Sequence, residues 1–218
     1  MDLFNDAFDA TLNLLPYDGC VNYFGQIIPN ACADRYFDEL QHHIDWQHDQ
    51  AHIAGRLITT ERKVAWHGDT AFAYTYSGTT KHARPWTDTL LALKQQVERI
   101  TNTNFNSCLL NLYAHGQQGM AWHSDNETSL GHNTSIASLS LGAQRTFAFK
   151  HKTTAQTVTL ELAHGSLLIM KGETQHHWLH RLPPRANIHQ ARINLTFRTI
   201  VHQQPWDPNL KSTITASP

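Results

Sequence analysis
Long apolar runs are absent from this 218-residue chain. No stretch approaches the roughly eighteen uninterrupted hydrophobic residues of a membrane helix, so no membrane association is expected. The opening MDLFNDAFDATLNLLPYDG lacks the basic start and apolar core of a secretory signal. Cysteine is scarce: Cys20, Cys32 and Cys108 cannot all pair and form no Cys-x-x-Cys motif, which points to a reduced, cytoplasmic protein. Eleven glycines and eight prolines without a period exclude collagen and low-complexity disorder. Charge is modest, at 16% of residues and a net of −1, which argues against strong non-specific binding to long duplexes.

What charge there is falls unevenly. Residues 1–50 hold nine acids and one base, whereas residues 145–198 hold eight bases and two acids. The second region suits a small anion or a nucleic-acid backbone. Histidine is abundant, at 16, so no histidine counts as a ligand without context. Most of them, His151 and His164 included, are read as surface or locally bonded.

No repeat or linker divides the chain, so a single domain over 1–218 is expected, with an acidic extension and helix over 1–50. Residues 31–44 place Tyr36, Phe37, Leu40 and Ile44 on one helical face behind Asn30 as the cap. Residues 87–100 repeat Leu90, Leu93, Val97 and Ile100 in the same way. Both stripes read as packing faces. SIASLSLG, RTFAFKHK, QTVTLEL, SLLIMKG and RINLTFRTI are short strands rich in β-branched and aromatic residues. The expected fold is α+β, mainly β: a jelly roll supported by N-terminal helices, with its core over 105–200.

Three His-x-Asp triplets occur, where chance supplies about one. His43-Ile44-Asp45 ends a helix, which turns i and i+2 apart, and His67-Gly68-Asp69 is read as a turn. His123-Ser124-Asp125 lies on an extended segment, where i and i+2 share a face and an imidazole and a carboxylate can meet one ion. A second imidazole would complete the facial set that leaves open positions on Fe(II). The His-rich TQHHWLHRLPP follows some fifty residues later. In RINLTFRTI, Ile193, Leu195 and Phe197 alternate with Arg192, Asn194, Thr196 and Arg198. The two arginines, about 20 Å apart along a strand, can bracket a dianion; the alternative is a solvated strand face.

Taken in order, RKVAWHGD, YTYSG, PW, NLYAHG, HSDNE, SIASLSLGAQRTFAFKHK, LAHGSLLIMKG, HWLHRLPP and RINLTFR resemble the AlkB-type oxygenases, nearest the animal DNA-repair branch. The resemblance implies a double-stranded β-helix that uses Fe(II), 2-oxoglutarate and O2. It names His123, Asp125 and His180 as iron ligands, His180 standing twelve residues before Arg192 as the family motif requires. It assigns Asn111, Tyr113, Arg192, Thr196 and Arg198 to 2-oxoglutarate, with Asn194 on the same face. Tyr74 and Tyr76 would line the pocket for a flipped base, Glu127 would recognise its polar edge, and the loop holding Ala54, Gly55 and Arg56 would face the substrate.

The implied activity is oxidative demethylation of 1-methyladenine and 3-methylcytosine, with release of formaldehyde. Alkylated single-stranded DNA or RNA is the expected partner and a monomer the expected state. Two departures from the branch bear on substrate. Ala54 stands where duplex-repair enzymes carry an aromatic wedge, and a methyl group cannot fill the stack left by a flipped base, so duplexes are disfavoured. Asn126 replaces an acid, which reduces complementarity to a cationic base. Arg56, Arg62 and Lys63 are candidate phosphate contacts, Cys108 is a core residue ahead of a strand, and Trp122 packs beneath the metal site. The alternatives are an oxygenase of this fold acting on modified tRNA, protein or a small molecule, and a non-catalytic jelly-roll binding module.

Overall fold
A computed structural model describes residues 9–53, 56–76 and 79–201, with side chains over 9–49, 58–73 and 82–201. The chain begins with β1 (Cys20–Gln26), α1 (Asn30–His43), β2 (Gln47–Ile53), β3 (Arg56–Gly68), β4 (Ala73–Tyr76), β5 (Thr79–His82) and α2 (Asp88–Thr101). It continues with β6 (Ser107–Tyr113), β7 (Met120–His123), a 3-10 turn (Thr128–Leu130), β8 (Ile136–Gly142), β9 (Arg145–His151) and β10 (Thr157–Leu162). The last elements are β11 (Ser166–Lys171), the single turn α3 (Thr174–His177), β12 (Trp178–Leu182) and β13 (Arg192–Arg198). Among the described residues no helix is long and apolar enough to cross a membrane.

A seven-stranded sheet, ordered β1-β11-β8-β13-β6-β3-β2, faces a four-stranded sheet, β10-β9-β12-β7, and β4 and β5 form a separate hairpin. All these pairings are antiparallel. The result is the double-stranded β-helix expected for alternating short strands.

Alternation on β13 divides its work between two cores. Ile193, Leu195 and Phe197 join Cys108, Leu110, Leu139 and Leu141 beneath the helices, which contribute Leu40, Leu90, Leu93 and Val97. Between the sheets, Val21, Ile136, Leu168 and Met170 meet Phe149, Leu162 and Trp178. The remaining β13 residues, Arg192, Asn194, Thr196 and Arg198, form a polar row on the face opposite the first core. Arg192, Asn194 and Thr196 are buried, so the row is not a solvated face.

Three local expectations are corrected. The cap of α1 is Pro29, with no side-chain bond, and Asn30 is the first helical residue, its Oδ1 accepting from Gln26 Nε2. Proline's fixed φ and missing N–H suit a helix start and displace the asparagine. His67 and Gly68 end β3 rather than forming a turn, with Gly68 paired to Ser107. Cys108 lies within β6. At α2 the sequence signal holds: Thr87 accepts from the Leu90 N–H at 3.2 Å, and Asn102 terminates the helix at φ 49°.

Candidate active site
β7 and β12 are neighbours, and their register sets His123 directly opposite His180. The two imidazole centroids are 4.2 Å apart. Asp125 follows two residues after the end of β7, and one potential ligand atom from each of the three lies within 4.8 Å of the others. The His-x-Asp spacing thus brings its two donors to one point, and strand pairing supplies the third.

The tautomer of His123 is fixed by its surroundings. Its Nδ1 lies 2.8 Å from the Ala121 carbonyl, which can only accept, so Nδ1 carries the proton and Nε2 keeps a free lone pair. His180 is 4% exposed, and its Nδ1 has no hydrogen-bond partner among the described residues. Burial first, then the neighbouring His123, pushes its pKa down to about 3, so the ring stays a neutral donor. Burial alone would raise the Asp125 pKa, but Arg198, followed by His180 and His123, outweighs it and holds the carboxyl below its usual range. Arg198 Nη2 donates to Asp125 Oδ2 at 2.8 Å, and the Asp125 N–H donates to Gln175 Oε1 at 2.9 Å.

The polar row continues away from this point. Arg192, 2% exposed, donates through Nη2 to Ser140 Oγ at 2.9 Å and to Asn194 Oδ1 at 2.8 Å. Asn194 Nδ2 donates to Thr196 Oγ1 at 2.7 Å, and Ser138 Oγ donates to Asn194 Oδ1 at 2.9 Å. The Tyr113 ring lies 5.7 Å from the Arg192 guanidinium carbon. Burial lowers the Arg192 pKa to about 10, which still leaves it charged at neutral pH. Among the described residues Arg192 has no carboxylate partner, and its buried Nε has no partner at all. A buried cation satisfied only by neutral groups calls for an anion. Asn111, opposite Asn194 on β6, accepts from Arg62 Nη1 at 2.5 Å through Oδ1.

The donor set fits the group the motif implies. Two imidazoles with available lone pairs and one ionised carboxylate suit Fe(II), and Arg192, with no carboxylate partner among the described residues, suits the far carboxylate of a dicarboxylic acid.

Two sequence expectations fail here. Arg62 is not a free phosphate contact: it is buried, with Nη2 2.7 Å from Asp49 Oδ2 and Nη1 on Asn111. Freeing it would break charge-assisted bonds worth about 1.5–3 kcal/mol each. Trp122 does not lie beneath the metal site. Adjacent strand residues face opposite ways, so it points outward from His123, with Lys150 Nζ 4.9 Å and the Arg181 guanidinium 4.5 Å from its ring.

Asn126 and Glu127 leave Asp125 as exposed residues leading into the 3-10 turn. Desolvation, then the charge on Asp125, raises the Glu127 pKa above the ordinary range. Ala54 and Gly55 lie outside the described residues, as do the side chains of Arg56, Tyr74 and Tyr76. Sequence reasoning missed Gln175, Ser138, Ser140 and Lys152. Lys152 Nζ donates to Ser124 Oγ at 3.1 Å and to the Gln175 carbonyl at 2.8 Å. The alternating serines of SIASLSLG on a strand beside β13 were the available signal for two of them.

Comparison with known proteins places this geometry. Residues 20–198 match the 2OG-Fe(II) oxygenase superfamily. The chain is 38% identical over 182 residues to DNA oxidative demethylase ALKBH2 of Bos taurus, covering 78% of this chain and 66% of that protein. It is 40% identical over 178 residues to alpha-ketoglutarate-dependent dioxygenase alkB homolog 3 of Bos taurus, covering 77% and 62%. Against the Homo sapiens ALKBH2 the identity is 37% over 182 residues, covering 78% and 70%. The chain thus spans about two thirds of the length of these relatives. A solved structure described as "The structure of OsALKBH1" superposes with a TM-score of 0.56 over 82% of this chain and 97% of that one; at 15% identity it supports the fold alone. The chain therefore belongs to the 2OG-Fe(II) oxygenase superfamily, among its AlkB-type members.

Proposed function
We propose that this protein oxidatively demethylates N-alkylated bases such as 1-methyladenine and 3-methylcytosine in DNA. Single strands are preferred, and RNA is accepted. The carrying observation is the convergence of His123, Asp125 and His180, tied through the Arg198–Asp125 bond to the β13 row that buries Arg192 with no acidic partner among the described residues. Similarity to proteins named as DNA oxidative demethylases supports the substrate class.

In this reading His123, Asp125 and His180 hold Fe(II) and Arg192 holds the far carboxylate of 2-oxoglutarate. With these bound, O2 is reduced and 2-oxoglutarate becomes succinate and carbon dioxide, while the N-methyl carbon is oxidised and leaves as formaldehyde. The protein's part is positional. The Ala121 carbonyl orients His123, and Arg198 and the Gln175 side chain fix Asp125. Asn194 and Ser140 anchor the Arg192 guanidinium through Nη2. The resemblance assigns Tyr74 and Tyr76 to the base, and aromatic residues suit a flat, often cationic base, which must leave the stack to be oxidised. Alanine at 54 supports the single-strand preference. The unpaired Cys20, Cys32 and Cys108 support a reduced, cytoplasmic setting, and we assign a monomer.

The test uses a single-stranded oligonucleotide with one 1-methyladenine, incubated with protein, Fe(II), 2-oxoglutarate and air, with mass spectrometry of the base. Loss of the methyl group is expected, abolished by omitting 2-oxoglutarate or by His123→Ala. Succinate production without base repair, on DNA and RNA alike, would reassign the enzyme to another substrate.

A further inference from the structure
A second set of donors converges along the same strand pair that carries His180. His151 ends β9, His177 closes α3, and Asp18 precedes β1. One potential ligand atom of each lies within 4.8 Å of the other two. His151 is 4% exposed. Its Nε2 lies 3.3 Å from Asp18 Oδ2, yet it makes no hydrogen bond of proper geometry among the described residues. A buried ring nitrogen is therefore aimed at a carboxylate that does not satisfy it. The His151 and His177 rings lie parallel within 5°, with centroids 6.2 Å apart. Tyr17 and Trp178 pack edge-on against His151, at 5.1 and 5.0 Å, and wall the cluster.

We propose that Asp18, His151 and His177 form a second metal site, separate from His123–Asp125–His180, for a divalent ion of the zinc type. Two imidazoles and one carboxylate suit a borderline ion; calcium and magnesium take all-oxygen sets. The fourth position goes to water or to Glu173, whose Oε2 lies 3.8 Å from His177 Nε2.

Ligation through His151 Nε2 places the ring proton on Nδ1. That nitrogen now faces both the Thr154 N–H and Thr154 Oγ1, each at 3.1 Å. The hydroxyl oxygen is able to accept the proton. Tyr17 Oη donates to Gln156 Oε1 at 2.7 Å and so receives the Thr154 hydroxyl proton at 2.8 Å, leaving an Oγ1 lone pair toward Nδ1. Metal entry thus changes the tautomer of His151 without changing its protonation, and gives up the Thr154 N–H bond.

The ion would pin the segment before β1 to β9 and α3. His151 pairs with Trp178, and Phe149 pairs with His180, so this site lies two residues, about 7 Å, along the strands from the His180 row. Its place suggests a brace for the end of the small sheet.

The test is metal content of the full chain after chelation and equilibration with Zn(II), measured by mass spectrometry. Wild type should hold two equivalents, and Asp18→Asn/His177→Gln one. In His123→Ala, Zn(II) should raise Tm by several degrees, a shift lost when Asp18→Asn/His177→Gln is added. The combined variant's circular dichroism and urea midpoint establish that it is folded. One equivalent in the wild type, or a second equivalent surviving in Asp18→Asn/His177→Gln, overturns the proposal.

Discussion
Arg198 reaches Asp125 at 2.8 Å from the last residue of β13, and both side chains are largely buried, at 17% and 7% exposure. The pair joins the strand of the polar row to the loop that follows β7. It also keeps the carboxylate ionised where burial would otherwise favour protonation.

Removing one partner of such a pair leaves an uncompensated charge. Arg198→Met should lower stability by roughly 3–5 kcal/mol and weaken Fe(II) binding together with turnover. Urea unfolding and anaerobic iron titration measure the two effects. Unchanged stability would show that the pair is not load-sharing in the fold.

Arg192 makes its charge available to a dianion. Arg192→Met should raise the KM for 2-oxoglutarate about 10- to 100-fold, the loss of one charge-assisted contact at 1.5–3 kcal/mol, with iron affinity nearly unchanged. Steady-state kinetics in 2-oxoglutarate and a separate iron titration distinguish this from general disruption.

Lys152 and Gln175 act as positioning residues for Asp125. Lys152 Nζ ties Ser124 to the Gln175 carbonyl, while Gln175 Oε1 takes the Asp125 N–H. Lys152→Met and Gln175→Leu should each weaken iron binding about 10- to 100-fold, leave the KM for 2-oxoglutarate near its original value, and be separable by rescue with Lys152→Arg. Equal losses in iron affinity and in KM would instead mean general disruption of the fold.

Ala54→Phe restores a wedge that can replace an extruded base. The ratio of duplex to single-strand demethylation should rise roughly tenfold, given about 1–3 kcal/mol per base–aromatic stack. Matched oligonucleotides with one 1-methyladenine measure it, and an unchanged ratio would remove Ala54 as a basis for the proposed strand preference.

Much of this arrangement was legible in the chain because periodicity is local. The helices ending at His43 and Thr101 follow their apolar repeats, and alternation on β13 separated its core residues from its polar ones. His123 and Asp125 could be placed because i and i+2 share a face on extended backbone. Long-range partners left no such trace. Arg62 finds Asn111 across 49 positions and Gln175 finds the Asp125 N–H across 50, contacts set by the tertiary fold and not by local spacing. The Trp122 error had a local remedy, since the alternation that turns His123 inward turns its neighbour outward.

The pairing of His123 with His180 across β7 and β12 has an evolutionary consequence. The spacing of the two imidazoles is inherited from a backbone ladder, which drifts little while sheets stay intact. Tyr74 and Tyr76 belong to β4, in a hairpin that joins neither large sheet. On the proposed reading, iron binding and base selection therefore sit in separate parts of the fold, and a lineage could change its substrate by rewriting the hairpin while the two imidazoles keep their places.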